Sequence, residues 1–270
     1  MQPTEGLFTR QLPGDRYRDQ TDPVLQLEAI NVNFDGFQAL TDLSLNIGVG
    51  ELRCVIGPNG AGKTTLMDVI TGKTRPKSGR AIYDQSIDLT ALEPAAIARQ
   101  GIGRKFQKPT VFEALTVWEN LEIAMKTDKS VWASLRAKLN GEQRDRIDEM
   151  LVLLRLGNER DRRAGLLSHG QKQFLEIGML LVQDPHLLLL DEPAAGMNAA
   201  EKVALGELLI RIRDDGKTLL MIEHDVKLVM GICDRLTVLD YGKTLASGTP
   251  ESVRRDPAVV AAWLGGHAHV

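Results

Sequence analysis

The sequence predicts an α/β fold whose core is a mostly parallel β-sheet. Short, continuously apolar runs, which are typical of strands buried on both faces, alternate with segments of helical spacing. Three of these runs are Leu52–Ile56, Leu187–Leu190 and Thr218–Ile222, and the first of them comes directly before a glycine-rich segment. Strands that alternate with helices on this scale form sheets covered by helices.

Other segments have patterns of their own. Residues 24–30 and 43–47 alternate apolar and polar side chains, as a half-exposed antiparallel sheet does. Residues from about 94 to 167 are mostly helical in pattern, with apolar residues on one stripe and charges between them. Residues 235–240 and 243–247 predict a hairpin near the C-terminus.

These patterns predict five segments along the chain. The first and last are tails at residues 1–23 and 266–270. Between them we expect an antiparallel β subdomain with the first part of the core at 24–94, a helical subdomain at 95–167 and the remainder of the α/β core at 168–265.

Composition bounds the class of protein. The 270 residues are 43% hydrophobic and 26% charged, as in an ordinary globular protein, and the net charge of −3 gives no general reason to bind nucleic acid. No apolar run is long enough to cross a membrane, and residues 1–23 lack the apolar centre of a secretory signal. We therefore expect a cytoplasmic protein in which Cys54 and Cys233 are buried free thiols rather than a disulfide or a metal site.

The strongest motif is a phosphate-binding loop with Walker A spacing between a predicted strand and a predicted helix. Its glycines let backbone N–H groups point at phosphate oxygens, and the helix N-terminus adds partial positive charge. Lys63 is predicted to reach the β- and γ-phosphates of ATP, and the Thr64 hydroxyl to ligate Mg²⁺. The predicted nucleotide-binding residues of this loop are Gly57, Pro58, Asn59, Gly60, Ala61, Gly62, Lys63, Thr64 and Thr65.

Two carboxylates end a second apolar strand. Asp191 and Glu192 follow Leu187–Leu190. Asp191 alone would be an ordinary strand-end residue in a turn, but beside a phosphate loop it is predicted to hold Mg²⁺, directly or through water. Because successive strand residues point to opposite sides, Glu192 can face the attacking water as a general base or orienting group.

A third motif lies between these two and spans residues 167–173, Leu-Ser-His-Gly-Gln-Lys-Gln. Ser168 and the Gly170 amide at a helix N-terminus would suit a γ-phosphate, although Ser168 taken alone is more often a helix cap. The segment resembles the signature of the ABC ATPase family, Leu-Ser-Gly-Gly-Gln. The resemblance covers about residues 25–265 and implies a cassette with a RecA-like P-loop core, an N-terminal antiparallel β subdomain and an inserted helical subdomain.

The resemblance also implies roles for single residues. Gln107 is similar to the glutamine that senses Mg²⁺ and water, and His224 to the switch histidine that contacts the γ-phosphate. Phe34 resembles the aromatic residue that stacks on adenine, with Phe37 a close rival. The implied catalytic residues are Glu192, His224 and Gln107, the implied metal ligands are Thr64, Gln107 and Asp191, and the residues implied to complete the ATP site of a partner are Ser168, Gly170 and Gln171.

Two positions depart from the family pattern. His169 replaces the first signature glycine, so we expect either a tighter approach to phosphate or an added hydrogen-bond donor. The D-loop, residues 194–198, ends in Asn198 where many relatives have aspartate. Neither change removes a predicted metal ligand or the predicted base.

The family resemblance implies an ATPase subunit of a membrane importer that uses ATP and Mg²⁺ at the cytoplasmic face of the inner membrane. Implied partners are transmembrane channel subunits, a second ABC ATPase, either a copy or a paralogue, in a nucleotide-sandwich dimer, and indirectly a solute-binding protein, with no nucleic acid.

Local motifs bear on the solute. Residues 194–198 resemble the branched-chain amino-acid importer ATPases, while residues 71–76, 103–112, 129–136 and 168–173 resemble the urea-importer ATPases of that group. The expected solute is therefore urea or a related small amide. The alternatives are a branched-chain amino-acid importer, a related exporter and a soluble ABC ATPase that acts on ribosomes or DNA. The soluble type is disfavoured by the single cassette and by the lack of sustained heptads.

Overall fold

The computed structural model describes residues 23–105, 110–125 and 141–264, and these residues form two β-sheets with helices packed around them. The strands are β1 (Pro23–Phe34), β2 (Phe37–Gly48), β3 (Leu52–Ile56), β4 (Ser78–Tyr83), β5 (Ile87–Asp88), β6 (Ile102–Lys105), β7 (Leu187–Asp191), β8 (Thr218–Ile222), β9 (Arg235–Asp240) and β10 (Lys243–Gly248).

Helices occupy most of the remaining described chain. The α-helices are α1 (Lys63–Ile70), α2 (Pro94–Arg99), α3 (Val117–Met125), α4 (Gly141–Leu153), α5 (His169–Leu181), α6 (Ala199–Asp214), α7 (Val226–Ile232), α8 (Pro250–Arg254) and α9 (Pro257–Val259). Short 3₁₀ turns lie at Leu89–Ala91, Gly157–Glu159 and Ala164–Leu166, and a π-turn at Val260–Leu264.

The N-terminal sheet is antiparallel in the order β2-β1-β4-β5. Strand β1 does not alternate strictly, because Leu27 and Ile30 are both buried three residues apart. A register shift between these two residues, with Ala29 at φ 47°, supplies the extra residue and returns Ile30 to the buried face. The predicted half-exposed antiparallel sheet is confirmed.

The second sheet has the order β10-β9-β3-β8-β7-β6, and all of its neighbours pair in parallel except the β9–β10 hairpin. Strands β3, β7 and β8 are buried at every residue, as their continuous apolar sequences predict. The α/β core and the C-terminal hairpin predicted from the sequence are both confirmed.

Two apolar cores lie on opposite faces of this parallel sheet. Leu187 and Leu189 of β7 pack with α1 and the N-terminal sheet. Leu188 and Leu190 point the other way and pack with α5 and α6. Alternation along each strand therefore divides the apolar residues between two layers, and it fixes which face each neighbouring helix covers.

Strand β6 was not predicted. Residues 94–167 were expected to be mostly helical, but Ile102–Lys105 pairs in parallel with β7 at the edge of the core sheet. The pattern failed here because two of the four residues, Arg104 and Lys105, carry charges that are buried in ion pairs. The division into subdomains stays a prediction, and Gln107 and the segment 129–136 lie outside the described residues.

The two cysteines are buried free thiols, as predicted. Cys54 lies on β3, and Cys233 lies just before the neighbouring strand β9. Burial is the main cause that raises the pKa of the Cys54 thiol well above its usual value, and Cys233 adds to the shift. In the part of the chain that the structure describes, no helix is long and apolar enough to span a lipid bilayer.

Leu189 tests the packing between the two sheets. It is fully buried in the middle of β7, so Leu189→Ala leaves a cavity and should lower the free energy of unfolding by about 3 kcal/mol. Urea denaturation followed by circular dichroism measures the change. Val152→Ala is the control, because Val152 is 74% exposed and should leave the midpoint where it is. Equal midpoints for the two variants would contradict this account of the core.

Candidate functional site

The phosphate loop connects β3 to α1 and has a backbone that only glycine permits at two positions. Gly62 has φ 97°, and a Cβ there would lie 2.6 Å from the carbonyl oxygen of Ala39. At Gly57, with φ 152°, a Cβ would lie 2.2 Å from the Leu239 oxygen. Gly62 is also the N-cap of α1, and no side chain caps this helix, which leaves its first amides for an anion.

Lys63 begins α1 and folds back over the loop. Its ammonium donates hydrogen bonds to the carbonyl oxygens of Gly57 at 2.8 Å and Pro58 at 2.9 Å. Burial lowers the pKa of Lys63, while the nearby carboxylates Glu192 and Asp191 act against that shift. The Lys63 ammonium thus lies at the mouth of the glycine-rich loop.

The loop forms one wall of an open cleft, and the β1–β2 hairpin forms the other. Phe34 and Phe37 both line this cleft and are 47% and 62% exposed. Either ring can offer a face to an adenine, so the choice left open by the sequence stays open. The other lining residues are Ala39, Asn59, Gly60, Gly62, Lys63, Thr64, Thr65 and Glu192.

Asp191 ends β7 and is held by an arginine that the motifs do not mark. The guanidinium of Arg104, on the neighbouring strand β6, lies 3.2 Å from the Asp191 carboxylate and 2.5 Å from that of Asp68 on α1. Burial raises the pKa of Asp191, and Arg104 opposes the rise. In the sequence, Arg104 is a charge two residues after an apolar one, in a segment whose pattern predicts helix.

Glu192 and His224 lie in contact. The His224 Nε2 lies 3.0 Å from the Glu192 Oε1. Glu192 has φ 49°, a left-handed conformation that costs a residue with a Cβ about 1 kcal/mol or more and is typical of functional sites. Its N–H donates to the Ile222 oxygen at 3.0 Å, which fixes the strained residue to β8.

Glu223 is a second residue that the motifs do not mark. It is 4% exposed, and its carboxylate accepts hydrogen bonds from the N–H groups of Ala194 at 2.7 Å and His224 at 3.0 Å. Burial raises the pKa of Glu223, and these backbone donors oppose the rise. The side chain thus joins the D-loop to the segment that carries His224.

The signature segment forms the N-terminus of α5. Ser168 is its N-cap, since its Oγ accepts from the Gln171 N–H at 3.1 Å, and Gln171 Oε1 accepts from the Ser168 N–H at 2.9 Å. Within the described part of the chain, Ser168, Gly170 and Gln171 are not among the residues lining the cleft at Lys63. The signature segment is therefore separate from the cleft of its own chain.

Both residues that depart from the family pattern form hydrogen bonds within the chain. His169 Nε2 lies 3.0 Å from the carbonyl oxygen of Ala195, so the added donor points at the D-loop of the same chain. Asn198 is the N-cap of α6, with its Oδ1 accepting from the Glu201 N–H at 3.0 Å. The asparagine thus retains the capping function for which aspartate is also suited.

The buried carboxylate of Glu176 contacts Lys105 and Thr110, the described residues on either side of Gln107. Lys105, at the end of β6, lies 3.2 Å from the carboxylate of Glu176 on α5, and both side chains are nearly inaccessible to water. The same carboxylate accepts from the Thr110 N–H at 2.9 Å and hydroxyl at 2.8 Å. Glu176 therefore ties residues 105 and 110 to the signature helix.

The parallel sheet, the glycine loop at its edge and the carboxylates of β7 define a P-loop nucleotide-binding protein. The family model described as ABC transporter matches residues 40–195, and the one described as branched-chain amino acid ATP-binding cassette transporter matches residues 243–269. The chain therefore belongs to the ABC transporter family, and it is an ATPase of that family.

Two curated relatives are similar in sequence over nearly the whole chain. The high-affinity branched-chain amino acid transport ATP-binding protein LivG of Salmonella typhimurium is 38% identical, over 90% of this chain and 98% of that protein. The corresponding protein BraF of Pseudomonas aeruginosa is 35% identical over 90% of this chain.

Solved structures show the same fold. The ADP conformation of an ATP-binding cassette of an ABC transporter has a TM-score of 0.79 and 34% identity, covering 91% of this chain and 100% of that one. A dimeric post-hydrolysis state of another cassette, bound to ADP and Pi, has a TM-score of 0.71 and 25% identity over 84% of this chain and 98% of that one. The predicted fold class, an ABC cassette, is confirmed.

The anchor around Glu176 is tested by removing its charges singly and together. Lys105→Met leaves a buried carboxylate uncompensated and should lower the free energy of unfolding by about 3–5 kcal/mol. The double variant Lys105→Met/Glu176→Gln removes both charges and keeps an acceptor for Thr110, so most of this loss should return. Chemical denaturation of the wild type and both variants provides the comparison. A double variant less stable than Lys105→Met would contradict the compensation of these charges.

Proposed function

We propose that this chain is the ATP-hydrolysing subunit of an ABC importer, with branched-chain amino acids as its solute class. The observation that carries the proposal is the contact between Glu192 and His224 at 3.0 Å, at the edge of the cleft formed by the phosphate loop. A nucleotide-binding protein needs no such pair to bind ATP, whereas hydrolysis requires a group that orients water and accepts its proton.

The phosphates of ATP would lie over the amides of α1. Lys63 would move from the loop carbonyls to the β- and γ-phosphates, because phosphate oxygens carry more negative charge than carbonyls. Phe34 or Phe37 would stack on the adenine at the opposite wall of the cleft.

The donors near the phosphate loop fit Mg²⁺. Thr64 offers a hydroxyl and Asp191 a carboxylate, the hard oxygen ligands that this ion takes together with substrate phosphates. Gln107, the third predicted ligand, lies outside the described residues. Bound Mg²⁺ supplies charge neutralisation at the phosphates.

Glu192 would orient the attacking water and accept its proton. Its strained backbone and its contact with His224 hold the carboxylate at the edge of the cleft. Once ATP is present, His224 would donate a hydrogen bond from its ring to the γ-phosphate.

The separation of the signature segment from the cleft supports a dimer as the active form. Ser168, Gly170 and Gln171 would complete an ATP site on a second ABC ATPase, either a copy or a paralogue. A cassette of the same fold is dimeric with ADP and Pi bound. Channel subunits would hold the dimer at the cytoplasmic face of the membrane and couple its closure to transport, with a solute-binding protein acting on the far side.

The relatives favour branched-chain amino acids over urea as the solute. LivG and BraF are named for branched-chain amino acid transport and align with 90% of this chain. The resemblance to urea importers rests on short segments, one of which, 129–136, lies outside the described residues. The long alignment therefore outweighs the local motifs.

Glu192→Gln tests the catalytic role. The amide keeps the shape of the side chain but is a poor base, so hydrolysis should fall by about 100-fold or more while ATP binding is retained. Phosphate release and equilibrium ATP binding measure the two quantities, and gel filtration with ATP and Mg²⁺ should show a longer-lived dimer. Glu207→Gln is the matched control, since Glu207 pairs with Arg155 on the surface. Undiminished turnover in Glu192→Gln would rule out the proposed base.

The solute is tested by transport in cells that lack this chain. Uptake of labelled leucine should be lost, and it should return with the wild-type chain but not with Glu192→Gln. Uptake of labelled urea should be unchanged throughout. Loss of urea uptake with normal leucine uptake would instead support the urea importer.

A further inference from the structure

The D-loop, Ala194–Asn198, is held by two side chains that come from different parts of the chain. Glu223 binds the N–H of Ala194 at 2.7 Å, and His169 binds the carbonyl oxygen of the next residue, Ala195, at 3.0 Å. Glu223 precedes the switch histidine, and His169 lies in the signature segment. Two adjacent residues of the D-loop are therefore tied to two functional segments.

The Glu223 contact is buried and carries three backbone donors. Its carboxylate accepts from Ala194, from His224 at 3.0 Å and from Asp225 at 3.5 Å. Hydrogen bonds to a charged acceptor are stronger than neutral ones, especially away from water. A shift of Ala194 is thus transmitted to the backbone of His224, whose ring contacts Glu192.

The His169 contact is tight as well. Its ring lies against the D-loop backbone, where a Cβ on Gly196 would come within 2.9 Å of the His169 Cδ2. The amide of Gln173, one turn along α5, lies 3.2 Å from the same ring nitrogen. A carbonyl oxygen can only accept a hydrogen bond, so the contact with Ala195 places the proton on His169 Nε2. Glycine, the family residue at this position, has no side chain with which to form this bond.

We propose that His169 and Glu223 are positioning residues that couple the two ATP sites of the dimer through the D-loop. The coupling rests on the proposed function, in which Ser168 faces the partner's ATP and His224 faces the chain's own. When the partner's ATP binds the signature segment and displaces it, the hydrogen bond from His169 displaces Ala195 as well. Ala195 and Ala194 are joined by one peptide bond, so the displacement reaches Glu223 and His224 without a flexible linker.

The signal must pass through both the His169 contact and the Glu223 contact, so loss of either one is expected to break the coupling. His169→Ala cuts the first contact, and Glu223→Gln weakens the second while keeping one acceptor. Two coupled sites predict a wild-type Hill coefficient of ATP hydrolysis above one and at most two, and either change should lower it toward one. The double variant should fall no further, because a series link is already broken by one cut.

The assay uses the full chain, with ATP hydrolysis measured across ATP concentration and the melting temperature recorded for each variant. Gln183→Ala is the matched control. Its exposed amide bonds the Met179 carbonyl at 2.8 Å just beyond the other end of α5, so the Hill coefficient should not change. A merely structural role for His169 or Glu223 would lower the melting temperature or the active fraction without changing the Hill coefficient.

Several results would overturn the proposal. They are a wild-type Hill coefficient of one, a His169→Ala variant that is folded and fully cooperative, and a double variant whose loss is the sum of the single losses. Should Glu223→Gln fail to fold, the exposed His169 decides alone. Failure of the proposed function is recognised separately, as undiminished hydrolysis by Glu192→Gln.

Discussion

The site depends on the parallel register of β3, β6, β7 and β8. Parallel strands bring their carboxyl ends to one edge of a sheet, and β8 pairs with both β3 and β7, opposing Ile222 to Val55 and to Asp191. The phosphate loop, Asp191 and Glu192, and Glu223 and His224 each follow one of these strand ends. A slip of one residue in any pairing would send its functional side chain to the wrong face. The apolar residues that fill both layers of the core are what prevent that slip.

Buried charge at this edge is compensated locally. Arg104 lies between the carboxylates of Asp68 and Asp191, and Lys105 pairs with Glu176 on the opposite side of β6. Such pairs add little net stability, but breaking one leaves an uncompensated charge and is costly. They therefore hold the elements of the site in one arrangement. The edge strand β6 contacts Asp191 through Arg104 and the signature helix through Lys105.

Local sequence patterns predicted most of the core strands and the phosphate loop. They did not predict the elements that bury charged side chains. Continuous apolar runs marked β3, β7 and β8, and glycine spacing marked the phosphate loop, because strand burial and loop sterics act over a few residues. Strand β6 was missed, since its charged residues have the composition of a surface helix. Arg104, Glu176 and Glu223 were missed because each binds a residue far away in sequence, namely Asp68, Thr110 and Ala194, and no spacing rule connects them.

The sequence by itself determined that this protein is an ABC ATPase with a phosphate loop, an Asp–Glu pair at the end of an apolar strand and a signature segment. Those features depend on residue type and short spacing, which sequence records directly. Only the tertiary structure decided that His169 binds the D-loop carbonyl and that Arg104 holds Asp191. These are contacts between distant segments, and their geometry exists only after both sheets have packed against the helices.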